Sequence, residues 1–171
     1  VGNGCAYTSS RTAEVTFQVA DKHKTEEQLK LIEEVMQEQG AQNPTRRQGH
    51  GRCTEIRCRG KNLVATWQKF KTPHCPPNLE IVKGWGTKAV AAFLAGWFDA
   101  DGYFGEDAWK LANTHPKTRA EVKELFSRLG FVTSEHGIEV RVCSFQKKMF
   151  EDVIGPFSFK KFAKGSHKTS E

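Results

Sequence analysis

The stretch from Ala89 to Phe104 constrains the fold more than any other part of this chain of 171 residues. Its first ten residues are uncharged and mostly good helix formers, and Asp99, Asp101 and Gly102 follow directly. Carboxylates at the C-terminal end of a helix are disfavoured because they face the negative end of the helix dipole. A local conflict of this kind is typical of a functional site.

Small residues recur four positions apart in this helix, in the pairs Ala91 and Ala95, and Ala92 and Gly96. Residues at this spacing share a helical face, so a second helix can approach closely. If that helix is similar, carboxylates from both meet at one end and repel each other unless a cation lies between them. Oxygen ligands favour a hard cation such as Mg²⁺. The residues alone leave open a simpler alternative, a buried helix followed by an Asp-Gly turn.

The segment from Phe93 to Gly102 resembles the LAGLIDADG motif of homing endonucleases and of the related RNA-splicing maturases. The matching positions are Leu94, Ala95, Gly96, Asp99, Ala100, Asp101 and Gly102. Trp97 and Phe98 replace two apolar positions of the pattern conservatively. The resemblance therefore covers the whole motif.

The resemblance implies an α+β fold of two pseudosymmetric αββαββα-type halves, with saddle-shaped antiparallel sheets packed around LAGLIDADG helices. It also implies a site-specific, intron-encoded endonuclease that hydrolyses phosphodiester bonds of double-stranded DNA. In the family the Asp before the final Gly binds a divalent cation, so Asp101 is expected to bind Mg²⁺ or another divalent ion. Such a cation supplies an activated water and stabilises charge on the phosphate oxygens.

The pattern of elements indicates an internal repeat. Alternation predicts a strand over 12–20, and helical signals follow over 25–40. Two strands over 46–59 and a short helix over 63–70 complete the first set. The second set contains an alternating strand around 109–113, a helix over 118–129, a hairpin turning at 136–137 and a short helix over 149–154. Trp109 lies 92 residues after Phe17, and Glu139 lies 84 residues after Glu55, which indicates a two-copy chain.

The two halves are predicted to be 1–78 and 79–171, the second beginning with the LAGLIDADG helix over 89–102. The first half has no such helix, because residues 1–10 lack a helical period. An upstream helix or a second polypeptide segment is therefore expected as a partner. The face of the central helix that carries Phe93, Leu94 and Trp97 is expected to need it, so 1–171 alone is not expected to be a stable active monomer.

Further site residues follow from family positions. The polar residue that ends the second strand of each half, and helps to order solvent near the metal, corresponds to Asp21 and Asn113. Lysines that polarise this solvent correspond to Lys71 and to either Lys160 or Lys161. DNA contacts are expected from outward strand residues, since Arg, Lys and Gln reach base edges and phosphates. These candidates are Arg11, Gln18, Arg46, Arg57, Lys110 and Arg141.

Composition agrees with an anionic partner, because the net charge is +6. No apolar run is long enough to span a membrane, and no membrane partner is expected. Five cysteines argue for a reducing, intracellular compartment, either an organelle or a prokaryotic DNA compartment. The spacing of His50, Cys53, Cys58, His74 and Cys75 fits no standard zinc finger, and core or turn positions are favoured for them.

Two other functions remain open at this point. The first is an RNA-binding maturase or structural RNA-binding protein of the same fold, which would recognise structured RNA through its backbone and 2′-OH groups. The second is a DNA-binding regulator without nuclease activity. Asp101 favours catalysis, because a pure binding module has no use for a carboxylate that faces phosphates.

Overall fold

A computed structural model describes residues 4–8, 13–20, 26–51, 53–70, 77–105 and 108–158. The chain divides into two compact units, residues 1–81 and 82–171. A four-residue helix, α3 (Glu80–Lys83), lies at the boundary between them. Among the described helices, none has the length and apolarity needed to cross a membrane.

The first unit contains a four-stranded antiparallel sheet with helices on one face. Its elements in chain order are β1 (Gly4–Thr8), β2 (Ala13–Ala20), α1 (Glu26–Glu38), β3 (Gln42–Gln48), β4 (Cys53–Arg59) and α2 (Lys61–Phe70). The strand order in the sheet is β1-β2-β4-β3. Alternation in β2 and β4 directs Val15, Ile56 and Cys58 into one core with Leu29 of α1.

Strand β3 carries an irregularity that decides which of its side chains face the helices. Gln42 pairs with Arg59 and Thr45 with Arg57, so β3 has one residue more than β4 in this interval. Such a bulge reverses the side on which the following residues lie. Asn43 lies within it with a φ of 41°, and Pro44 follows, which a bulge tolerates because proline has no N–H to donate.

The bulge places Arg46 opposite the core residue Ile56, on the helix side of the sheet. There the guanidinium binds the carboxylates of Glu33, at 2.6 Å, and Glu26, at 2.8 Å, on α1. These bonds raise the pKa of Arg46 above its usual value, with Glu33 contributing most. The prediction that Arg46 lies on the outward face is therefore wrong, because the extra residue in β3 was not recognised.

The second unit follows the order αββαββα. Its elements are α4 (Thr87–Asp101), β5 (Gly102–Gly105), β6 (Ala108–Ala112), α5 (Pro116–Arg128), β7 (Thr133–His136), β8 (Glu139–Val142) and α6 (Lys147–Val153). Single 3₁₀ turns over Ser144–Gln146 and Gly155–Phe157 flank α6. The sheet order, β5-β6-β8-β7, has the same connectivity as the first sheet.

Aromatic side chains form the centre of the second unit. The ring of Phe98 on α4 packs edge-on against Trp109 of β6, at 5.2 Å, and against Phe150 of α6, at 5.4 Å. Trp109 and Phe150 stack on each other at 5.0 Å. The end of α4 is thereby anchored to the sheet and to the last helix.

The α+β fold with two antiparallel sheets is confirmed, and the predicted elements are present. One strand was missed: β1 lies within the segment that the sequence indicated only as non-helical. The burial of α4 also differs from expectation. Leu94 and Trp97 are buried, so neither lies on an exposed face that another helix could cover. Between its two ends, the exposed positions of α4 are instead small, namely Ala89, Ala92, Gly96 and Ala100.

Candidate metal site and nucleic-acid interface

The candidate metal site lies where α4 passes directly into β5. Asp101 is the last residue of the helix and is exposed. Asp99 is half-buried and accepts a hydrogen bond from the hydroxyl of Ser158. The last turn of α4 carries no basic residue. Two carboxylates and the negative end of the helix dipole therefore create an anionic position that a cation would neutralise.

Gly102 fixes this junction by its lack of a side chain. A Cβ at this position would lie 2.6 and 2.7 Å from two ring atoms of Phe98 and closer still to a third. The φ of Gly102 is −89°, which any residue can adopt, so space is the constraint. The glycine thus allows the buried Phe98 ring to pack over the start of β5 while Asp101 remains at the surface.

The donors at this junction fit Mg²⁺ or a similar hard cation. Mg²⁺ usually binds to proteins through one or two carboxylates and completes its coordination with water and substrate phosphates. Asp101 provides one exposed carboxylate of this kind. Among the described residues, no group of three or more His, Cys, Asp or Glu side chains could hold a metal ion by itself. Water molecules and phosphate oxygens would therefore have to complete the coordination.

The sheet of the first unit has a polar face opposite its helices. We call this the first polar face, and its members alternate with the core residues of β2, β3 and β4. They are Glu14, Thr16, Gln18, Thr45, Arg47, Glu55, Arg57 and Arg59. Three arginines and two glutamates give the face a net charge of +1.

Glu55 is the centre of the first polar face. Its side chain is 9% exposed, and its carboxylate binds Arg47 of β3 and the Nε of Arg57, the latter at 3.0 Å. Glu14 takes the corresponding position on β2, 3.6 Å from Arg57 and 3.4 Å from Arg59. Every arginine of this face is therefore held by at least one carboxylate.

The sheet of the second unit has a similar polar face. The second polar face consists of Tyr103, Lys110, Ala112, Ser134, His136, Glu139 and Arg141. Glu139 accepts hydrogen bonds from the hydroxyl of Tyr103 and from Nε and Nη2 of Arg141, at 2.9 and 2.7 Å. These bonds, that of Tyr103 first, lower the pKa of Glu139 below its usual value.

Lys110 belongs to the second polar face by register but is buried, at 3% exposure. Its Nζ lies 4.0 Å from Glu139 and 5.6 Å from the centroid of the Tyr103 ring. A direct DNA contact was predicted for Lys110, and this burial argues against it. The ammonium instead offsets the charge of Glu139.

The other predicted site residues have different outcomes. Gln18 is exposed on the first polar face, and Arg57 and Arg141 are partly exposed on the two faces. The side chain of Asn113 accepts a hydrogen bond from the N–H of His115, at 2.9 Å, before α5 begins. Its expected role near the metal stays a prediction. Five predicted residues lie outside the described part of the chain, namely Arg11, Asp21, Lys71, Lys160 and Lys161.

Most members of the polar faces were not singled out from the sequence, among them Arg47, Arg59 and Tyr103. Arg47 and Arg59 lie on the first face, and Tyr103 lies on the second. The signal for Arg59 was available, because it continues the alternation of Glu55 and Arg57. The signal for Arg47 was not, because the bulge in β3 breaks the alternation.

The cysteines take structural positions where they are described. Cys58 is buried in the core of the first unit, and burial raises the pKa of its thiol to about 11. Cys53, Cys58 and Cys143 are free thiols. Cys58 is thus a protonated core residue, as favoured from the sequence.

Fold and site together define a protein with two α/β units, polar strand faces and an acidic helix end of LAGLIDADG type. Residues 88–164 match the family model of the LAGLIDADG-like domain. This part of the chain is therefore similar to the LAGLIDADG-like domain, and the resemblance seen in the sequence is confirmed. No curated protein is similar enough in sequence to count as a relative.

Solved structures of homing endonucleases share the fold over most of the chain. Mesophilic variants of the homing endonuclease I-DmoI match with a TM-score of 0.71 and 15% identity, covering 90% of this chain and 89% of theirs. I-DmoI in complex with DNA and Mn matches with a TM-score of 0.67 and 16% identity, covering 88% and 87%. I-WcaI bound to its DNA recognition sequence matches with a TM-score of 0.63 and 15% identity, covering 92% and 77%.

Proposed function

We propose that this chain is a site-specific homing endonuclease that hydrolyses phosphodiester bonds of double-stranded DNA with a divalent cation at Asp101. The observation that carries the proposal is the exposed Asp101 at the end of a helix matching the LAGLIDADG pattern. A carboxylate there would repel DNA phosphates, so its value to a nucleic-acid-binding protein lies in the cation that it binds.

The polar faces support DNA as the substrate. Side chains that read base edges in the major groove are Arg, Lys, Gln, Asn and Glu. The first polar face consists largely of such residues, and the second carries Glu139 and Arg141 beside the buried Lys110. Both faces have a positive net charge. The structurally similar homing endonuclease I-DmoI has been solved in complex with DNA and Mn, and a variant of it has been solved with its target DNA in the presence of Mg.

The residues near the end of α4 would have separate roles. Asp101 would hold the cation, which supplies an activated water and stabilises charge on the phosphate when bound. Asp99, hydrogen-bonded to Ser158, would fix the end of α4. Phe98 and Gly102 would keep the junction rigid through their close packing. Asn113 is proposed to order solvent for the reaction. The resemblance implies the same role for Asp21, Lys71 and one of Lys160 or Lys161, which lie outside the described residues.

We also propose that a second helix covers the small-residue face of α4, formed by Ala89, Ala92, Gly96 and Ala100. Among the described residues, no atom lies within 4 Å of a Cβ built at Gly96. Gly96→Leu should therefore leave the fold of this chain intact, and should block the approach of the second helix. The test adds a peptide of LAGLIDADG-helix sequence and measures the melting temperatures of the wild type and the variant. If the peptide changes neither melting temperature, the proposal is contradicted.

A library experiment tests the proposed function. The protein is incubated with randomised DNA duplexes and Mg²⁺, with EDTA in a parallel reaction, and cleaved strands are sequenced. Cleavage at a defined sequence that EDTA abolishes supports the endonuclease. Selective DNA binding without cleavage would indicate the non-cleaving regulator. Preference for structured RNA over DNA would indicate the RNA-binding alternative.

A further inference from the structure

The two polar faces share one arrangement that the proposed function does not require. One of the two inner strands of each sheet carries Glu-x-Arg, as Glu55 and Arg57 on β4 and as Glu139 and Arg141 on β8. In both pairs the arginine Nε donates to Oε2 of the glutamate, at 3.0 Å in the first and 2.9 Å in the second. The same contact thus occurs at equivalent places in both units.

Each glutamate is also held from another strand of its sheet, from the adjacent β3 in the first unit and from β5, across β6, in the second. Arg47 of β3 binds Glu55, and the hydroxyl of Tyr103 on β5 binds Glu139. Carboxylates that accept several charge-assisted hydrogen bonds have little freedom to rotate. The side chains of Glu55 and Glu139 are only 9% and 19% exposed. The side chains of Arg57 and Arg141 are more exposed, at 29% and 24%. Each arginine therefore reaches the surface while the glutamate holds its guanidinium in position.

A carboxylate on a surface that binds DNA has a cost, because it repels phosphates. If the faces served only to attract DNA, a neutral residue at these two positions would bind more tightly. The carboxylate is useful where the arginine must point at one base and not at the nearest phosphate. An arginine in such a fixed position donates two hydrogen bonds to O6 and N7 of guanine, the most common specific contact in the major groove.

We propose that Glu55 and Glu139 are positioning residues for specificity. Each holds the arginine two residues later for contact with a guanine of the target and weakens binding to phosphates of other sequences. This inference rests on the proposed DNA-binding function. The low pKa of Glu139, caused first by Tyr103 and then by Arg141, keeps its carboxylate ionised, as the role requires.

The test compares target and non-target affinity in the full chain. The probes are a duplex that the wild type selects from the randomised library and a scrambled duplex of the same composition. Glu139→Gln removes the charge and weakens the anchor, because an amide has one acceptor oxygen in place of two. Glu139→Asp keeps the charge but shortens the side chain by one methylene, which moves the carboxylate away from the arginine. Glu55→Gln repeats the test in the first unit. Glu34→Gln, at an exposed site on α1, is the control for net charge.

The proposal gives a different result for each variant. Glu139→Gln should lower the ratio of target to non-target affinity about tenfold. It should also steepen the salt dependence of non-target binding by about 0.9 in the log–log slope, since one more phosphate is contacted. Glu139→Asp should lower the ratio without changing the slope. Glu34→Gln should leave the ratio unchanged.

Modified bases test the guanine contact directly. Each guanine of the selected duplex is replaced in turn by 7-deazaguanine, which lacks the N7 acceptor. The wild type should lose affinity at the guanine read by Arg141, and Glu139→Gln should lose much less there. Circular dichroism is used to check that each variant is folded. If the Glu139 variants do not fold, Glu55→Gln tests the same proposal in the first unit.

Two results would overturn the inference, and they differ from failure of the proposed function. Folded Glu139 and Glu55 variants that keep the wild-type ratio would show that the carboxylates do not position the arginines. An equal fall of the ratio in Glu34→Gln would show that net charge alone is responsible. A wild type that selects no duplex would instead refute the proposed function, and the inference with it.

Discussion

Replacement of Gly102 by alanine should destabilise the second unit and displace the candidate metal ligand. The added Cβ would lie 2.6 and 2.7 Å from two ring atoms of Phe98 and closer to a third. Such distances cannot persist, so the ring or the backbone must move. Phe98 is 3% exposed and is confined by Trp109 and Phe150, at 5.2 and 5.4 Å. The ring therefore has no open space to move into.

The expected loss is that of an overpacked core, about 1–3 kcal/mol. For a chain of this size, 1 kcal/mol lowers the melting temperature by about 2–4 °C. The variant should therefore melt about 2–12 °C below the wild type in a thermal unfolding experiment followed by circular dichroism. Gly96→Ala, in the preceding helix α4, is the control, because its Cβ would meet no described atom outside the helix backbone within 4 Å. The control should be neutral, or more stable by about 0.5–1 kcal/mol.

A double-mutant cycle tests the cause of the loss. Phe98→Leu removes the ring that the new methyl group would strike, so Gly102→Ala should cost much less in that background. Additive effects of the two substitutions would refute the steric argument. An unchanged melting temperature of Gly102→Ala alone would show that the junction between α4 and β5 is looser than the packing indicates.

Arg46→Gln should lower the stability of the protein, because it breaks the ion pairs of Arg46 with α1, and should leave DNA affinity unchanged relative to a neutral control. Arg47→Gln, in contrast, should weaken binding to a duplex. Equal effects of the two on binding would contradict the register of β3. Acidification should destabilise the protein through Glu135, whose pKa is lowered chiefly by Arg119. A carboxylate whose pKa is lower in the folded state stabilises the folded protein at pH values above its unfolded-state pKa, which is about 4.3 for glutamate. This stabilisation is lost as the pH falls through the folded-state pKa. Arg119→Gln should therefore flatten the fall in melting temperature as the pH drops below the unfolded-state pKa of about 4.3, and an unchanged slope would count against this ion pair.

Much of the fold could be predicted because the spacing of apolar residues and the local composition indicate the same helix or strand in each segment. Strict alternation around Phe17 and around Leu111 marks the central strands, and the apolar run of α4 marks the helix. Asp101 could be placed at the helix end because the motif is local and contiguous. These features depend on residues close together in the chain.

The missed features depend on register, which a single sequence encodes weakly. A bulge at Asn43 moves Arg46 to the helix side and Arg47 to the polar face. No composition signal separates two adjacent arginines, so the sequence could not decide between them. The burial of Lys110 likewise arises from neighbours on other strands, such as Tyr103 and Glu139. The polar faces could thus be predicted as surfaces but not residue by residue.

The central claim is that Asp101 supplies the metal-binding carboxylate of a DNA endonuclease, and one comparison tests it most directly. Asp101→Asn and Asp99→Asn are assayed beside the wild type for Mg²⁺-dependent strand cleavage and for affinity toward the selected duplex. The account predicts that Asp101→Asn loses cleavage while its affinity stays equal or rises, because a negative charge near phosphate is removed. Asp99→Asn, which can still accept the hydrogen bond from Ser158, should continue to cleave. Full Mg²⁺-dependent cleavage by Asp101→Asn would contradict the account.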